Sequence, residues 1–238
     1  MISDDYIKRT FPQGRLTILA GKPYVGKTGF VLSVARMLNK DVLYLSLRED
    51  DIKVIEAIER QEKREKLMKE WSISLCDTPG ISVEDVECMI TNQVNTVIIN
   101  YVELLNSLNK DNLNCHNRQE ELRFIYERLD YMANKYNLRI IGISMLPKFK
   151  NPEYPRFDEC LRFLDPSFLL KRLIMIHKPL SNNIELQSDK TEEYIELISR
   201  NQNEEEVVDR FSMDKDTHSI MRLVSSDKRV GNSKEGVK

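Results

Sequence analysis

The chain has 238 residues, 41% of them hydrophobic, which is enough to bury a sizeable core in one large α/β domain or two small domains. Its formal net charge of −2 excludes a strong overall attraction to nucleic acid, so any DNA or RNA site must be a local basic patch. The lack of a membrane-length apolar run, of a signal peptide and of a metal-like cysteine spacing predicts a cytoplasmic protein with reduced thiols.

A phosphate-binding loop is the first pattern along the chain that carries chemistry. The short apolar run Leu16–Ala20 favours a strand, and a full match to G-x-x-x-x-G-K-[ST] follows it at once. Apolar residues at helical spacing then run from Phe30 to Leu38. A strand, a glycine-containing loop and a helix in this order direct backbone N–H groups and the positive helix end at one anion. The predicted nucleotide-binding residues are Gly21, Lys22, Pro23, Tyr24, Val25, Gly26, Lys27 and Thr28.

Two side chains of this loop have separate predicted roles. We expect the Lys27 amine to reach the terminal phosphates of a nucleotide, and the Thr28 hydroxyl to bind Mg²⁺. The alternative is a glycine-containing surface turn with a chance lysine, which does not account for the flanking strand and helix. The pattern therefore favours nucleotide binding.

Strand-like and helix-like segments alternate along most of the remaining chain, which predicts a parallel sheet with helices on both faces. The predicted strands are Val42–Leu47, Ile73–Cys76, Thr96–Ile99, Ile140–Ser144, Leu173–Ile176, Tyr194–Ser199, Val207–Phe211 and Ile220–Val224. Two of the predicted helices span residues 50–70 and 118–137. A third runs from a capping arrangement at Ser82 and Asp85 to about Gln93. We expect one domain over residues 1–224 and a disordered polar tail over residues 225–238.

Six segments point to a family when they are read in order. They are Gly14–Pro23, Val42–Leu47, Asp77–Asp85, Thr96–Leu104, Asn117–Leu122 and Ile143–Lys148. In order and spacing they resemble the RecA-like ATPase core of bacterial replicative helicases of the DnaB type, from about Gln13 to at least His177. The resemblance implies an α/β P-loop NTPase fold with a mostly parallel central sheet, and ATP and Mg²⁺ as cofactors. It also implies a role in DNA replication or mobile-element maintenance, single-stranded DNA as a partner, and assembly with copies of itself or a related ATPase.

One departure from the family pattern affects the metal. The segment that resembles the family's Walker B strand ends at Asn100, where the family has an aspartate. A neutral amide is a weaker Mg²⁺ ligand than a carboxylate and brings no charge. Thr28 and Asn100 are the predicted metal ligands, and Glu103, three residues later, is a candidate for the missing carboxylate.

Three further departures affect catalysis. The family's water-polarising glutamate directly follows the second core strand; here Arg48 takes that position, and Glu49, one residue later, is the remaining candidate for polarising the water. Met145 replaces the family's glutamine that links nucleotide state to DNA contact. The family's trans-acting basic pair is reduced to Arg200. Because an arginine finger can contribute ~10³–10⁵ in rate, these changes predict impaired chemistry.

The departures together predict an ATP-binding domain with weak or absent hydrolysis, since correctly placed charge supplies most of the catalysis in phosphoryl transfer. The resemblance does not include the family's N-terminal domain and linker helix, so we expect a stand-alone domain. The alternative is a non-catalytic adaptor whose nucleotide binding stabilises a surface for protein contacts. A small-molecule kinase is disfavoured because no arginine-rich, lid-like segment stands out.

Two polar loops, 106–117 and 147–166, correspond by resemblance to loops that line the DNA channel of hexameric helicases. Lysines with interleaved aromatic residues suit contact with a single strand. Ordinary solvated loops are an equally good alternative. The candidate DNA-contacting residues are Lys110, Lys148, Lys150 and Arg156.

Overall fold

The computed structural model describes most of the chain, including the whole predicted phosphate-binding loop. The described residues are 3–38, 41–47, 72–108, 117–146, 173–179, 192–200, 205–214 and 220–229, together with Lys53, Glu56, Glu59, Arg60 and Phe157. Among these residues, no helix is long and apolar enough to cross a membrane.

The described strands are β1 Arg15–Gly21, β2 Val42–Ser46, β3 Ile73–Cys76, β4 Thr96–Asn100, β5 Arg139–Met145, β6 Leu173–His177, β7 Glu192–Arg200, β8 Glu206–Asp214 and β9 Ile220–Arg229. The described helices are α1 Asp4–Thr10, α2 Lys27–Leu38, α3 Val83–Met89 and α4 Arg118–Lys135, and a short 3₁₀ helix spans Val102–Leu104.

All described strands join one sheet in the order β3-β2-β4-β5-β1-β6-β7-β8-β9. The strands from β3 to β6 in this order pair in parallel, and β7, β8 and β9 add antiparallel pairs. The carboxyl ends of the parallel strands therefore meet at one edge, where ligands bind in open α/β sheets. The predicted α/β fold with a mostly parallel sheet is confirmed.

The sheet separates two hydrophobic cores because successive side chains of a strand point to opposite faces. In β1, Leu16 and Ile18 belong to the core that also contains residues of α3 and α4. Leu19 belongs to the opposite core, which contains residues of α1 and α2 such as Ile7 and Phe30. Helices therefore cover both faces, as predicted.

Two helix starts follow from local capping. Ser82 and Asp85 form a capping box, in which the Asp85 backbone N–H donates to Ser82 Oγ at 3.1 Å and the Ser82 backbone N–H donates to Asp85 Oδ2 at 3.1 Å. Asn117 caps α4 by accepting from the Glu120 backbone N–H at 3.0 Å. The predicted capping arrangement at Ser82 is confirmed, although α3 ends at Met89 rather than near Gln93.

The sheet extends further than the sequence predicted. Residues 225–229 were predicted to begin a disordered tail, and this is wrong, because β9 continues to Arg229. These polar residues pair with β8, where Arg210 donates to Ser225 Oγ at 3.3 Å and to Asp227. A polar sequence suits an edge strand, so its composition did not indicate a strand. The rest of the predicted tail, 230–238, and most of the predicted helix over 50–70 lie outside the described residues.

Helix α1 was not predicted from the sequence. Its Ser3 cap accepts from the Tyr6 backbone N–H at 3.2 Å, and Tyr6 and Ile7 are buried against the sheet. The Tyr6 hydroxyl donates to Asp209 Oδ2 at 2.6 Å, which fixes α1 to β8. Seven residues give too little periodicity for a helix to be recognised without this long-range contact.

Candidate nucleotide-binding site

The predicted phosphate-binding loop leaves the carboxyl end of β1 and leads directly into α2. A Cβ atom at Gly21 would lie 2.5 Å from Ile176 Cγ2 and 2.8 Å from the Ile176 carbonyl oxygen, so β6 requires glycine there. Gly26 has φ +88°, in the left-handed region that favours glycine. Both glycines of the motif are thus required by backbone geometry, which supports a built loop rather than a chance surface turn.

Lys27 is the first residue of α2, and only 4% of its surface is exposed. Its Nζ donates to the carbonyl oxygens of Gly21 at 2.9 Å and Lys22 at 2.7 Å. The same amine lies 5.8 Å from the centre of the Tyr101 ring, just beyond the end of β4. A buried cation is therefore held by the loop's own carbonyl groups, next to the carboxyl ends of β1 and β4.

Asn100 ends β4 and is completely buried. By strand alternation its side chain shares a face with Ile98, which belongs to the core containing α2. Among the described residues, neither its Oδ1 nor its Nδ2 has a hydrogen-bond partner. An unpaired buried amide beside the start of α2 is consistent with a polar ligand at this position.

The fit of this site to Mg²⁺ is poor. The predicted ligands offer one amide oxygen from Asn100 and one hydroxyl from the half-buried Thr28, whereas Mg²⁺ sites ordinarily include a carboxylate. Among the described residues, no group of three or more histidine, cysteine, aspartate or glutamate side chains could hold a metal ion. Thr28 and Asn100 stay predicted metal ligands, but their chemistry does not favour a tightly held ion.

Glu103, the candidate replacement carboxylate, is bonded to the end of β5. Ser144 Oγ and the Met145 backbone N–H, the latter at 3.3 Å, donate to its Oε1. Ser144 shares its strand face with Ile140, in the core opposite to that of Ile98. The described hydrogen bonds of Glu103 therefore connect it to β5 rather than to Asn100.

Burial raises the pKa of the Glu103 carboxyl above its usual range, although the hydrogen bonds from Ser144 and Met145 and the charge of Lys27 oppose that shift. Its Oε2 is buried and has no hydrogen-bond partner among the described residues. The sequence did not indicate Ser144 as a partner, because the two residues are 41 positions apart.

Arg200, the predicted trans-acting residue, ends β7 on the side where β6 begins. The phosphate-binding loop instead follows the carboxyl end of β1, so the two lie toward opposite ends of the strands. The Arg200 guanidinium lies 4.5 Å from the centre of the Phe157 ring and 3.9 Å from a Glu206 carboxylate oxygen. Arg200 therefore does not lie at the phosphate-binding loop of its own chain.

Two residues near the loop were not singled out by the sequence. Tyr101 packs against the core that contains α2 and receives the Lys27 amine over its ring. Met213 of β8 lies against Gly26, since a Cβ atom at Gly26 would be 3.4 Å from Met213 Cε. Tyr24, by contrast, projects from the loop fully exposed, with φ +63°. The remaining predicted site residues lie outside the described residues: Glu49, Lys110, Lys148, Lys150 and Arg156.

A cavity of about 740 Å³ lies elsewhere, near the beginnings of β1 and β6. Its lining includes Arg9, Arg15, Leu173 and Arg200. Because it lies toward the amino ends of the parallel strands, it is separate from the phosphate-binding loop. Volume alone does not make this cavity the predicted nucleotide site.

Known proteins that are similar in sequence to this chain are replicative DNA helicases. No family model matches the chain. It is 24% identical over 176 residues to a probable replicative DNA helicase of Trieres chinensis and 23% identical over 180 residues to the replicative DNA helicase DnaB of Mycoplasma pneumoniae. Each match covers 60% of this chain and 38% of the relative. The chain thus corresponds to about two fifths of the length of these relatives.

Solved structures share the fold. One is a DnaB-like replicative helicase, described with its interactions with primase, with a TM-score of 0.61, 16% identity and coverage of 88% of this chain and 59% of that chain. Another is the RadB recombinase, with a TM-score of 0.57, 16% identity and coverage of 88% and 91%. The predicted RecA-like fold and the predicted resemblance to DnaB-type helicases are confirmed.

Proposed function

We propose that this RecA-like chain, whose curated relatives are replicative DNA helicases, is a DnaB-type ATPase domain that binds ATP and hydrolyses it weakly. ATP would lie on residues 21–28, with its phosphates on the loop backbone and the Lys27 amine. Mg²⁺, when bound, supplies positive charge to the phosphate oxygens. Thr28 and Asn100 would be its protein ligands.

The observation that carries this proposal is the complete phosphate-binding loop between β1 and α2. The first turn of α2 begins at the carboxyl edge of the sheet, so its backbone N–H groups and the positive end of the helix point toward that edge. The buried Lys27 amine donates only to neutral carbonyl oxygens of the loop in its two described hydrogen bonds. A phosphate oxygen would be a stronger, charged acceptor for the same donor.

Weak hydrolysis is supported by replacements at positions where the resembled family has catalytic residues. Asn100 brings no negative charge at the end of β4, and Met145 brings no polar group to the end of β5. Arg200 lies toward the other end of the strands, so it supplies no charge at the phosphate-binding loop of its own chain. Glu49 is a predicted water-polarising residue outside the described part of the chain.

Partners and pathway belong to the same proposal. The relatives are replicative helicases, so we propose a role in DNA replication or mobile-element maintenance, with single-stranded DNA and further copies of this chain or a related ATPase as partners. The predicted DNA contacts are Lys110, Lys148, Lys150 and Arg156.

A second candidate is a non-catalytic adaptor that binds nucleotide to stabilise a surface for protein contacts. The neutral Asn100 favours it, because a site without a charged metal ligand can keep binding while losing catalysis. The two candidates share the nucleotide site and differ in turnover.

The test is equilibrium binding of ATP together with steady-state ATP hydrolysis, each with and without single-stranded DNA. A DnaB-type ATPase predicts binding and slow turnover that DNA stimulates. Binding with no turnover in either condition supports the adaptor. Absence of ATP binding by the wild-type chain contradicts both candidates.

A further inference from the structure

The buried side-chain amide of Asn100 is not explained by ATP binding to the loop alone. Its amide is completely buried, yet neither polar atom has a hydrogen-bond partner among the described residues. Burying an unpaired donor and acceptor destabilises a fold, so such groups are ordinarily paired by protein, water or ligand. A ligand that pairs this side chain must therefore suit an amide, which donates as well as accepts, and not a carboxylate.

The position of Asn100 identifies the part of the ligand that it meets. Its side chain shares the sheet face of α2, and the following residue, Tyr101, has the Lys27 amine over its ring. Lys27 is the residue that reaches the terminal phosphates in a loop of this kind. The Asn100 amide therefore lies at the phosphate end of the proposed nucleotide site.

An amide and a carboxylate behave differently next to a phosphate. An aspartate at this position would be repelled by the phosphate oxygens unless a cation lay between them. The asparagine NH₂ group is neutral and donates, so it can bond directly to a phosphate oxygen. The change to Asn100 thus removes a protein carboxylate that would need a cation between itself and the phosphate.

Glu103 does not restore the missing negative charge at Asn100. Its Oε1 accepts from Ser144 and from the Met145 backbone N–H, and Ser144 projects from the other face of the sheet. Burial also raises its pKa, which disfavours its charged form. The described hydrogen bonds of Glu103 therefore lead to the end of β5, and none of them supplies a carboxylate partner to Asn100.

We propose that Asn100 donates directly to a nucleotide phosphate, so that this site holds ATP without requiring Mg²⁺. This inference rests on the proposed nucleotide site at residues 21–28. It differs from the prediction that Asn100 is a metal ligand, because the metal becomes dispensable for binding.

The test is the affinity for ATP, measured by competition with a fluorescent ATP analogue, in excess EDTA and in saturating Mg²⁺. We compare the wild type, Asn100→Asp and Asn100→Ala. Asn92→Asp is the matched control, since it makes the same change at an exposed turn before β4. The wild-type Kd in EDTA should stay within about threefold of its value in Mg²⁺.

The variants distinguish a direct contact between Asn100 and phosphate from a contact through Mg²⁺. Asn100→Asp should weaken metal-free binding by about tenfold or more and recover in Mg²⁺, while Asn92→Asp behaves as wild type. Asn100→Ala should weaken ATP binding in both buffers. If thermal melting shows that Asn100→Asp does not fold, the affinity of Asn100→Ala in EDTA tests the direct contact in its place.

Two results would overturn this inference while leaving the nucleotide site in place: a wild-type affinity that falls by more than about threefold in EDTA, or metal-free binding by Asn100→Ala equal to wild type. A different result, no ATP binding in either buffer, would contradict the proposed function itself.

Discussion

The two halves of the proposed nucleotide site differ in what they have kept. The loop half, residues 15–38, has both motif glycines in positions that require glycine, and a buried lysine at the start of α2. The strand half, residues 96–104 and 139–146, has a neutral Asn100, a Met145 and a Glu103 bonded to Ser144. Binding depends on backbone donors and one amine, whereas hydrolysis needs charge at defined positions. Under the proposed function, this difference would preserve nucleotide binding while weakening hydrolysis.

The largest expected effect comes from the loop half. Lys27→Ala removes the buried amine, so we expect the thermal stabilisation that ATP gives to the wild type to disappear. Lys8→Ala, on the exposed side of α1, removes the same charge and should keep that stabilisation. A thermal melt with and without ATP measures both, and an ATP shift that survives in Lys27→Ala would place the ligand elsewhere.

Gly21→Ala tests the geometry of the loop half. The added methyl group would meet the Ile176 side chain at 2.5 Å and the Ile176 carbonyl at 2.8 Å, so we expect a loss of about 2–3 kcal/mol in the free energy of unfolding, the upper part of the usual cost of overpacking. Gly80→Ala is the control for backbone strain alone, because Gly80 has φ +73° and its nearest neighbour would be 3.6 Å away. It should cost about 1 kcal/mol. Equal losses in urea unfolding would contradict the close approach of β6.

Asn100→Leu tests the strand half. Replacing an unpaired buried amide by an apolar side chain of similar size should leave the free energy of unfolding unchanged or raise it by about 1–2 kcal/mol. Nucleotide affinity should fall in the same variant. A clear loss of stability without nucleotide would mean that the amide is paired in the free protein.

The smallest expected effect is the pH dependence at Glu103. Its pKa is raised in the folded state, so folding favours the protonated form and the stability contribution falls as pH rises above the ordinary glutamate value of about 4.3. Glu103→Gln keeps acceptors for Ser144 and Met145, and it should be more stable than the wild type at neutral pH. Chemical unfolding across pH should show this difference shrink on acidification. A constant difference would contradict a raised pKa.

Local patterns predicted much of the structure correctly. The strand before the phosphate-binding loop, the capping box at Ser82 and the long helix from Arg118 depend on neighbouring residues or on a regular spacing of apolar side chains. The RecA-like fold was expected because several segments, read in order, resemble those of DnaB-type helicases. These features depend on short stretches of sequence, which is why sequence reasoning reached them.

Long-range contacts account for what was missed. Glu103 bonds to Ser144 across 41 positions, and α1 is held by the bond from Tyr6 to Asp209. Residues 225–229 form a strand because Arg210 and the β8 backbone pair with them. No local spacing indicates such partners, so sequence alone predicted the loop half of the site better than the strand half.

Backbone hydrogen exchange with and without ATP tests most directly whether the nucleotide binds at this loop. The account predicts that ATP slows exchange of the amides of residues 21–30, and that Lys27→Ala removes the effect. If ATP protected only the residues that line the cavity near Arg9 and Arg15, and left the loop unchanged, the central claim would be wrong.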